Sequence, residues 1–118
     1  MKDDAYLRDI LRAASIIQQH TAGASSESFL SDLRTQDAVA RRFEIIGEAA
    51  GHLSPATLRE LPGVPWRLLV GMRNILIHNY DEVDPQRVWK TVREDIPPLI
   101  RQLEGYLADR PQEPNPDS

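Results

Sequence analysis

Apolar residues recur at helical spacing in four long segments of this chain, and no segment shows the apolar–polar alternation of a β-strand. The spacing predicts helices that begin near Asp3, Thr35, Pro65 and Pro85. The predicted core stripes are Leu7, Ile10, Leu11, Ala14 and Ile17; Val39, Phe43, Ile46, Ala50 and Leu53; Leu68, Leu69, Met72, Ile75 and Leu76; and Val88, Val92, Ile96, Leu99, Leu103 and Leu107. The expected fold is all-α, an antiparallel bundle of four main helices.

Capping residues and prolines predict where these helices begin. Thr35 is an N-cap type of residue, and Asp37 would then lie in the first turn, where the helix dipole favours an anion. Ser54-Pro55 and Asp84-Pro85 each place a proline at the first helical position, and Ser54-Pro55 opens a short extra helix to about Leu61. A single helical turn is expected at 28–32. Pro97-Pro98 must bend or split the last helix, because neither proline has an N–H to donate.

The chain has 118 residues, which is the size of one domain. We expect a helical domain at 1–110 and a disordered tail at 111–118, where proline alternates with polar residues. There is no cysteine, which excludes disulfides and thiolate chemistry. Apolar runs long enough for a signal peptide or a membrane span are lacking, so a cytoplasmic protein without membrane contact is expected.

The basic residues are unusual in kind, because arginine outnumbers lysine twelve to two. Arginine is preferred where planar, two-pronged contact with phosphate or carboxylate matters. The formal net charge of −4 is not that of a general nucleic-acid coat protein. Charge therefore leaves open whether the ligand is RNA or an acidic partner protein.

The stretch Arg73-Asn74-Ile75-Leu76-Ile77-His78-Asn79-Tyr80 places a permanent cation, an imidazole and a phenol within two helical turns. An imidazole moves protons near neutral pH, and a guanidinium binds a phosphate through two parallel hydrogen bonds. Together these groups suffice to cut an RNA backbone without a metal ion. No other part of the sequence offers chemistry as coherent.

In an unbroken helix, Arg73 and His78 would point about 140° apart. They meet at one phosphate only if the helix ends near His78, with Asn79 as a left-handed terminator, or if a second chain completes the site. We expect both. Ile77 lies outside the core stripe beside Arg73, which indicates a second buried surface, and a homodimer contact is its simplest source.

Arg-x4-His-x-Tyr after a helix in a small all-helical chain resembles the HEPN superfamily of ribonucleases. Three features narrow the resemblance to HepT-like toxins: Gly47-Glu48-Ala49 on the second long helix, a short helical insert before a proline turn, and Trp66 ahead of the motif. The resemblance covers roughly residues 3 to 107. It implies a dimeric HEPN-like helical bundle.

The resemblance also implies a function. Arg73 and His78 would be the catalytic residues of a metal-independent endoribonuclease that needs no cofactor, with Asn74 assisting and Glu48 supporting the site. The RNA substrate would be tRNA or mRNA. A nucleotidyltransferase antitoxin would transfer AMP onto Tyr80 and silence the toxin, with the AMP blocking RNA beside Arg73.

Two other functions compete with this one. The first is a catalytically silent HEPN protein that binds nucleotide or serves as a scaffold for the nucleotidyltransferase, which the net acidity mildly favours. The second is a plain helical adaptor, which leaves Ile77 and the motif unexplained. The complete Arg73 and His78 pair favours the enzyme, since a silent protein could lose either residue without cost.

The remaining charged residues have simpler interpretations. Asp81, Glu82 and Asp84 are surface acids and a helix cap rather than a metal site, so no metal is predicted. His20 and His52 fall at helix ends and are assigned no chemistry. Glu48 beside Arg42 would by default be a helix-face charge. Three basic residues of the last helix form either a solvated face or a patch that follows phosphates: Arg87, Lys90 and Arg93.

Overall fold

The structure is a computed structural model that describes residues 2–110. The predicted disorder of 111–118 falls outside these residues. Within them the chain is helical and contains no strand, as predicted. The helices are α1 (Lys2–Thr21), α2 (Ser26–Leu30), α3 (Leu33–Gly51), α4 (Pro55–Glu60), α5 (Trp66–His78), α6 (Pro85–Glu94) and α7 (Ile96–Ala108), with a 3-10 turn at Tyr80–Glu82. No helix in this part of the chain is long and apolar enough to cross a bilayer.

The start of α3 differs from the prediction. The helix begins at Leu33, and its N-cap is Asp32 rather than Thr35. Asp32 accepts hydrogen bonds from the backbone N–H of Thr35 at 3.1 Å and from its hydroxyl at 2.6 Å. These hydrogen bonds lower the pKa of Asp32 below its ordinary value. Because the helix starts three residues earlier than a Thr35 cap predicts, Asp37 lies beyond the first turn, on the exposed side of α3.

The other short-range signals are largely confirmed. Ser54 and Asp84 cap α4 and α6, and each is followed by proline at the first helical position. Pro97-Pro98 splits the predicted last helix into α6 and α7, with both prolines in the first turn of α7, where a missing N–H leaves no helical bond unmade. Pro65 occupies the N-cap of α5, one position before the expected one. The turn expected at 28–32 is α2, which starts at Ser26.

Helix α3 lies at the centre of the bundle, packed along α1 on one side and along α5 on the other. Helix α7 packs on the other side of α1, and α6 joins α7 to α2. The largest fully buried side chains come from α1, α2, α3, α5 and α7, and they form one core: Leu7, Ile10, Ile17, Phe29, Phe43, Ile46, Leu69, Ile96, Leu99 and Leu103.

The core face of α5 is narrower than predicted. Leu69, Met72 and Leu76 are buried, whereas Leu68 and Ile75 are 39% and 41% exposed. The physical reason is that α5 has one long neighbour, α3, so only one stripe of its surface is covered. Leu68 and Ile75 instead line an open groove of about 410 Å³ between α5 and the start of α6.

Candidate active site

Helix α5 ends where the motif ends. His78 is its last residue, and the N–H of Asn79 donates to the carbonyl of Ile75 at 2.8 Å. Asn79 terminates the helix as predicted, but the predicted left-handed backbone is wrong, because its φ is −138°. The chain leaves the helix at Asn79 and turns at once into the 3-10 turn that carries Tyr80.

Arg73 lies where α5 packs closely against Gly47 of α3. A Cβ atom added at Gly47 would overlap the Cβ of Arg73 and would lie 2.9 Å from the carbonyl oxygen of Leu69. Only glycine leaves enough room for the two helices at this point. This close approach lies at the base of the Arg73 side chain.

The guanidinium of Arg73 has defined partners. Its Nη2 lies 2.9 Å from Glu48 Oε2, and its Nη1 donates to Asn74 Oδ1 at 3.1 Å. Arg73 is 29% exposed and Glu48 is 58% exposed, so this ion pair adds little to stability. The ion pair instead orients the guanidinium of Arg73. Because Gly47 admits the stem of Arg73 and Glu48 pairs with its tip, Gly47-Glu48 forms a seat that fixes the direction of the cation.

The contacts of Glu48 continue to the end of α3. His52 Nε2 lies 3.4 Å from Glu48 Oε1, so Glu48 stands between a histidine and an arginine. The His52 ring also stacks on Tyr6 of α1, with centroids 5.0 Å apart and planes 13° from parallel. An open groove of about 410 Å³ runs past these groups; its lining includes Tyr6, Arg41, Glu48, His52, Arg73 and Ile77.

His78 is exposed and is not among the described residues that line the groove at Arg73. Helix α5 is continuous from Arg73 to His78, so the two side chains leave the axis about 140° apart. A single chain therefore does not bring them to one phosphate. Ile77 lies at the groove, and its side chain is 45% exposed.

Tyr80 is tied to α3 at a different point. Its hydroxyl donates a hydrogen bond to Asp37 Oδ1, while the residue stays 48% exposed. This hydrogen bond raises the pKa of the Tyr80 phenol above its ordinary value of 10.0, and partial burial and the charges of Asp37 and Glu44 add to the rise. Asp37 and Glu48 are eleven residues apart on α3, which is about 16 Å along a helix. Tyr80 therefore lies near His78 rather than beside Arg73.

The remaining candidates stay at the surface. Asp84 Oδ1 accepts from the N–H of Gln86 and caps α6, as interpreted from the sequence. Arg87, Lys90 and Arg93 are exposed on α6, and the Arg93 guanidinium lies 5.7 Å from the centre of the Trp89 ring. Among residues 2–110, no three His, Asp or Glu side chains lie close enough together to hold a metal ion.

Comparisons of the sequence with known proteins identify a ribonuclease family. The family model described as ribonuclease HepT-like matches residues 10–105. The chain belongs to the HepT-like ribonuclease family. A Thermococcus cleftensis protein named “Probable ribonuclease HepT” is 46% identical over 84% of this chain and 90% of its own length. The “Putative RNase MJ1380” of Methanocaldococcus jannaschii is 38% identical over 85% and 92%. No solved structure matches significantly.

Membership of the HepT-like family confirms the ribonuclease prediction at the level of the family. The roles of individual residues, the partner and the dimer stay predictions. The structure of this HepT-like protein adds three residues that the sequence did not single out. Tyr6 and His52 line the groove at Arg73, whereas Asp37 does not line it and accepts the hydrogen bond of Tyr80. His52 was assigned no chemistry, although it lies four residues after Glu48 and so on the same face of α3. Tyr6 and Asp37 carried no such signal.

Proposed function

We propose that this HepT-like protein is the toxin of a toxin–antitoxin pair, a metal-independent endoribonuclease that cuts tRNA or mRNA. In this proposal, AMP placed on Tyr80 by a nucleotidyltransferase antitoxin silences it. The observation that carries the proposal is the seat of Arg73. A glycine and a carboxylate of α3 fix a half-buried arginine, and an exposed histidine ends the same helix.

His78 and Arg73 have complementary tasks in such a reaction. His78 takes the proton of a ribose 2′-hydroxyl, whose oxygen attacks the adjacent phosphorus while the bond to the 5′-oxygen breaks. Arg73 stabilises the negative charge that grows on the phosphoryl oxygens, and its fixed orientation makes that stabilisation preorganised. Asn74 assists by accepting a hydrogen bond from Arg73, which helps to hold the guanidinium.

A homodimer supplies the geometry that one chain lacks. Arg73 and His78 diverge on α5, so a twofold axis near Ile77 is the simplest way to bring the Arg73 of one copy near the His78 of the other. The exposed Ile77 side chain at the Arg73 groove supports such a contact. A second histidine in the cleft would then protonate the leaving 5′-oxygen.

AMP on Tyr80 acts at the histidine end of the motif. Tyr80 follows His78 by two residues, and it is held at Asp37 rather than at Glu48. A bulky anion there would occlude His78 and repel the RNA backbone within one chain. The direct blocking of Arg73 that the sequence favoured requires the second copy.

The alternative is a catalytically silent scaffold for the nucleotidyltransferase, or a nucleotide-binding subunit. It is favoured by the net charge of −4 and by the ion pair that the Glu48 carboxylate already forms with Arg73. A scaffold would tolerate the loss of His78, whereas a nuclease would not. The His78→Ala variant therefore distinguishes the nuclease from the scaffold.

Expression in a bacterial host tests the proposal. We expect the parent to arrest growth, co-expression of the nucleotidyltransferase to restore growth, and His78→Ala to be harmless. Tyr80→Phe should arrest growth even with the nucleotidyltransferase present. Tyr106→Phe is the matched control, because Tyr106 also donates to a carboxylate, Glu60, at 2.6 Å. Parent protein that never arrests growth, although its mass shows no AMP, would favour the scaffold.

A further inference from the structure

The hydrogen bond from Tyr80 to Asp37 joins the turn after α5 to the exposed side of α3. A tyrosine bound to a carboxylate is often only an anchor, and Tyr106 shows that arrangement. The Tyr106 hydroxyl donates to Glu60, and the Arg110 guanidinium lies 4.9 Å from the centre of its half-buried ring. Tyr80 differs because the residue is 48% exposed, which leaves it accessible to an approaching enzyme, while its hydroxyl proton already points at a carboxylate.

A phenol that must attack a phosphorus atom needs a base. Its neutral form is a weak nucleophile, and a proton acceptor has to lie within hydrogen-bond reach of the hydroxyl. Asp37 is within that reach. In protein kinases an aspartate accepts the proton of the substrate hydroxyl during phosphoryl transfer, so a carboxylate is chemically adequate for this task.

The surroundings of Tyr80 favour transfer of the proton over formation of a free phenolate. Asp37 and Glu44 both place negative charge near the ring, and both raise the pKa of Tyr80. A free phenolate is therefore disfavoured at neutral pH. The proton has to leave as the bond to phosphorus forms, and the Asp37 carboxylate already accepts a hydrogen bond from the Tyr80 hydroxyl.

We propose that Asp37 is the general base for the modification of Tyr80, supplied by the toxin rather than by the enzyme that modifies it. The inference rests on the proposed function. In the step, the Tyr80 oxygen bonds to the α-phosphorus of a nucleoside triphosphate held by the nucleotidyltransferase. The bond from that phosphorus to pyrophosphate breaks, pyrophosphate leaves, and the phenolic proton passes to an Asp37 oxygen. Asp37 is thus a catalytic residue of the silencing reaction and has no part in RNA cleavage.

The test uses Asp37→Asn, which keeps an oxygen that accepts the hydrogen bond but is not basic. The rate of AMP transfer from ATP is measured by intact mass, with the nucleotidyltransferase and ATP both saturating. We expect a loss of about 100-fold or more in the maximal rate, which is the usual size of general-base catalysis. Asp81→Asn is the matched control, since it removes one exposed charge next to Tyr80, and it should stay within about twofold of the parent.

RNA cleavage by unmodified Asp37→Asn should equal that of the parent, which separates a base from a residue that holds the fold. Transfer to Asp37→Asn at the parental maximal rate, or a change confined to the affinity for the nucleotidyltransferase, would overturn the role of Asp37. If the parent accepts no AMP on Tyr80, the silencing part of the proposed function fails as well, whether or not the protein cleaves RNA.

Discussion

Arg73→Lys is expected to lower the rate of RNA cleavage by about 100-fold or more while the protein stays folded. Lysine keeps the positive charge and most of the aliphatic stem beside Gly47, but it loses the planar, two-pronged guanidinium. The partners of Arg73 match that shape, because Glu48 of α3 and Asn74 of α5 bind different nitrogens of the guanidinium. The measurement is cleavage of total tRNA under single-turnover conditions, with circular dichroism to confirm the helical fold.

Arg41→Lys is the matched control for this variant. Arg41 lines the same groove and pairs with Glu44 at 3.2 Å, but its side chain is 67% exposed and has no glycine beneath it. We expect its replacement to change cleavage by no more than about threefold, because a solvated cation that only attracts RNA tolerates lysine. Equal losses in the two variants would mean that Arg73 acts through general charge alone.

Gly47→Ala is expected to destabilise the protein by about 1–3 kcal/mol and to reduce cleavage by the molecules that remain folded. The added methyl group would meet the Cβ of Arg73 and the backbone carbonyl of Leu69, neither of which can rotate away. Helix α5 must therefore move away from α3, and Arg73 then loses its ion pair with Glu48. Urea denaturation measures the change in the free energy of unfolding.

Two other glycines serve as controls for Gly47. A Cβ added at Gly51 of α3 or at Gly71 of α5 would have no atom within 4 Å. Alanine at Gly71 should stabilise α5 by about 1 kcal/mol, as it does in an ordinary helix interior. Alanine at Gly51 should be neutral or mildly stabilising. If Gly47→Ala behaved like either control, the close approach of α3 and α5 would not hold in solution.

Features that depend on neighbouring residues in sequence were predictable. Ser54-Pro55 and Asp84-Pro85 begin helices where expected, and Pro97-Pro98 divides the last predicted helix, because these effects act through the local backbone. The sequence predicts Thr35 as the N-cap of α3, whereas the N-cap is Asp32, three residues earlier. Both side chains have an oxygen able to cap, and here the two residues bind each other, so the local signal was ambiguous.

Features that depend on packing were not predictable from periodicity. Leu68 and Ile75 repeat at helical spacing with the buried residues of α5, but burial requires a neighbouring helix, and α5 has one long neighbour. Periodicity identifies the apolar face of a helix without saying how much of it is covered. The exposure of these side chains is thus a property of the arrangement of the bundle.

The residues of the candidate site likewise divide into those that the sequence predicts and those that depend on packing. The motif from Arg73 to Tyr80 was visible because its members lie within eight consecutive residues. The partners that orient them were harder to identify, since Glu48 and Asp37 reach them across the contact between α3 and the end of α5. Resemblance to a family identifies Glu48, whereas the sequence places Asp37 in the first turn of α3, because it predicts a later start for that helix.

The proposed cleavage of RNA by this HepT-like protein needs no metal ion and uses His78 to move the proton. The most direct test is incubation of purified protein, with Tyr80 shown by intact mass to be unmodified, with total tRNA in EDTA, beside His78→Ala. We expect cleavage by the parent that EDTA does not slow, and a loss of about 100-fold or more in His78→Ala. Cleavage that EDTA abolishes, or equal cleavage by His78→Ala, would contradict it.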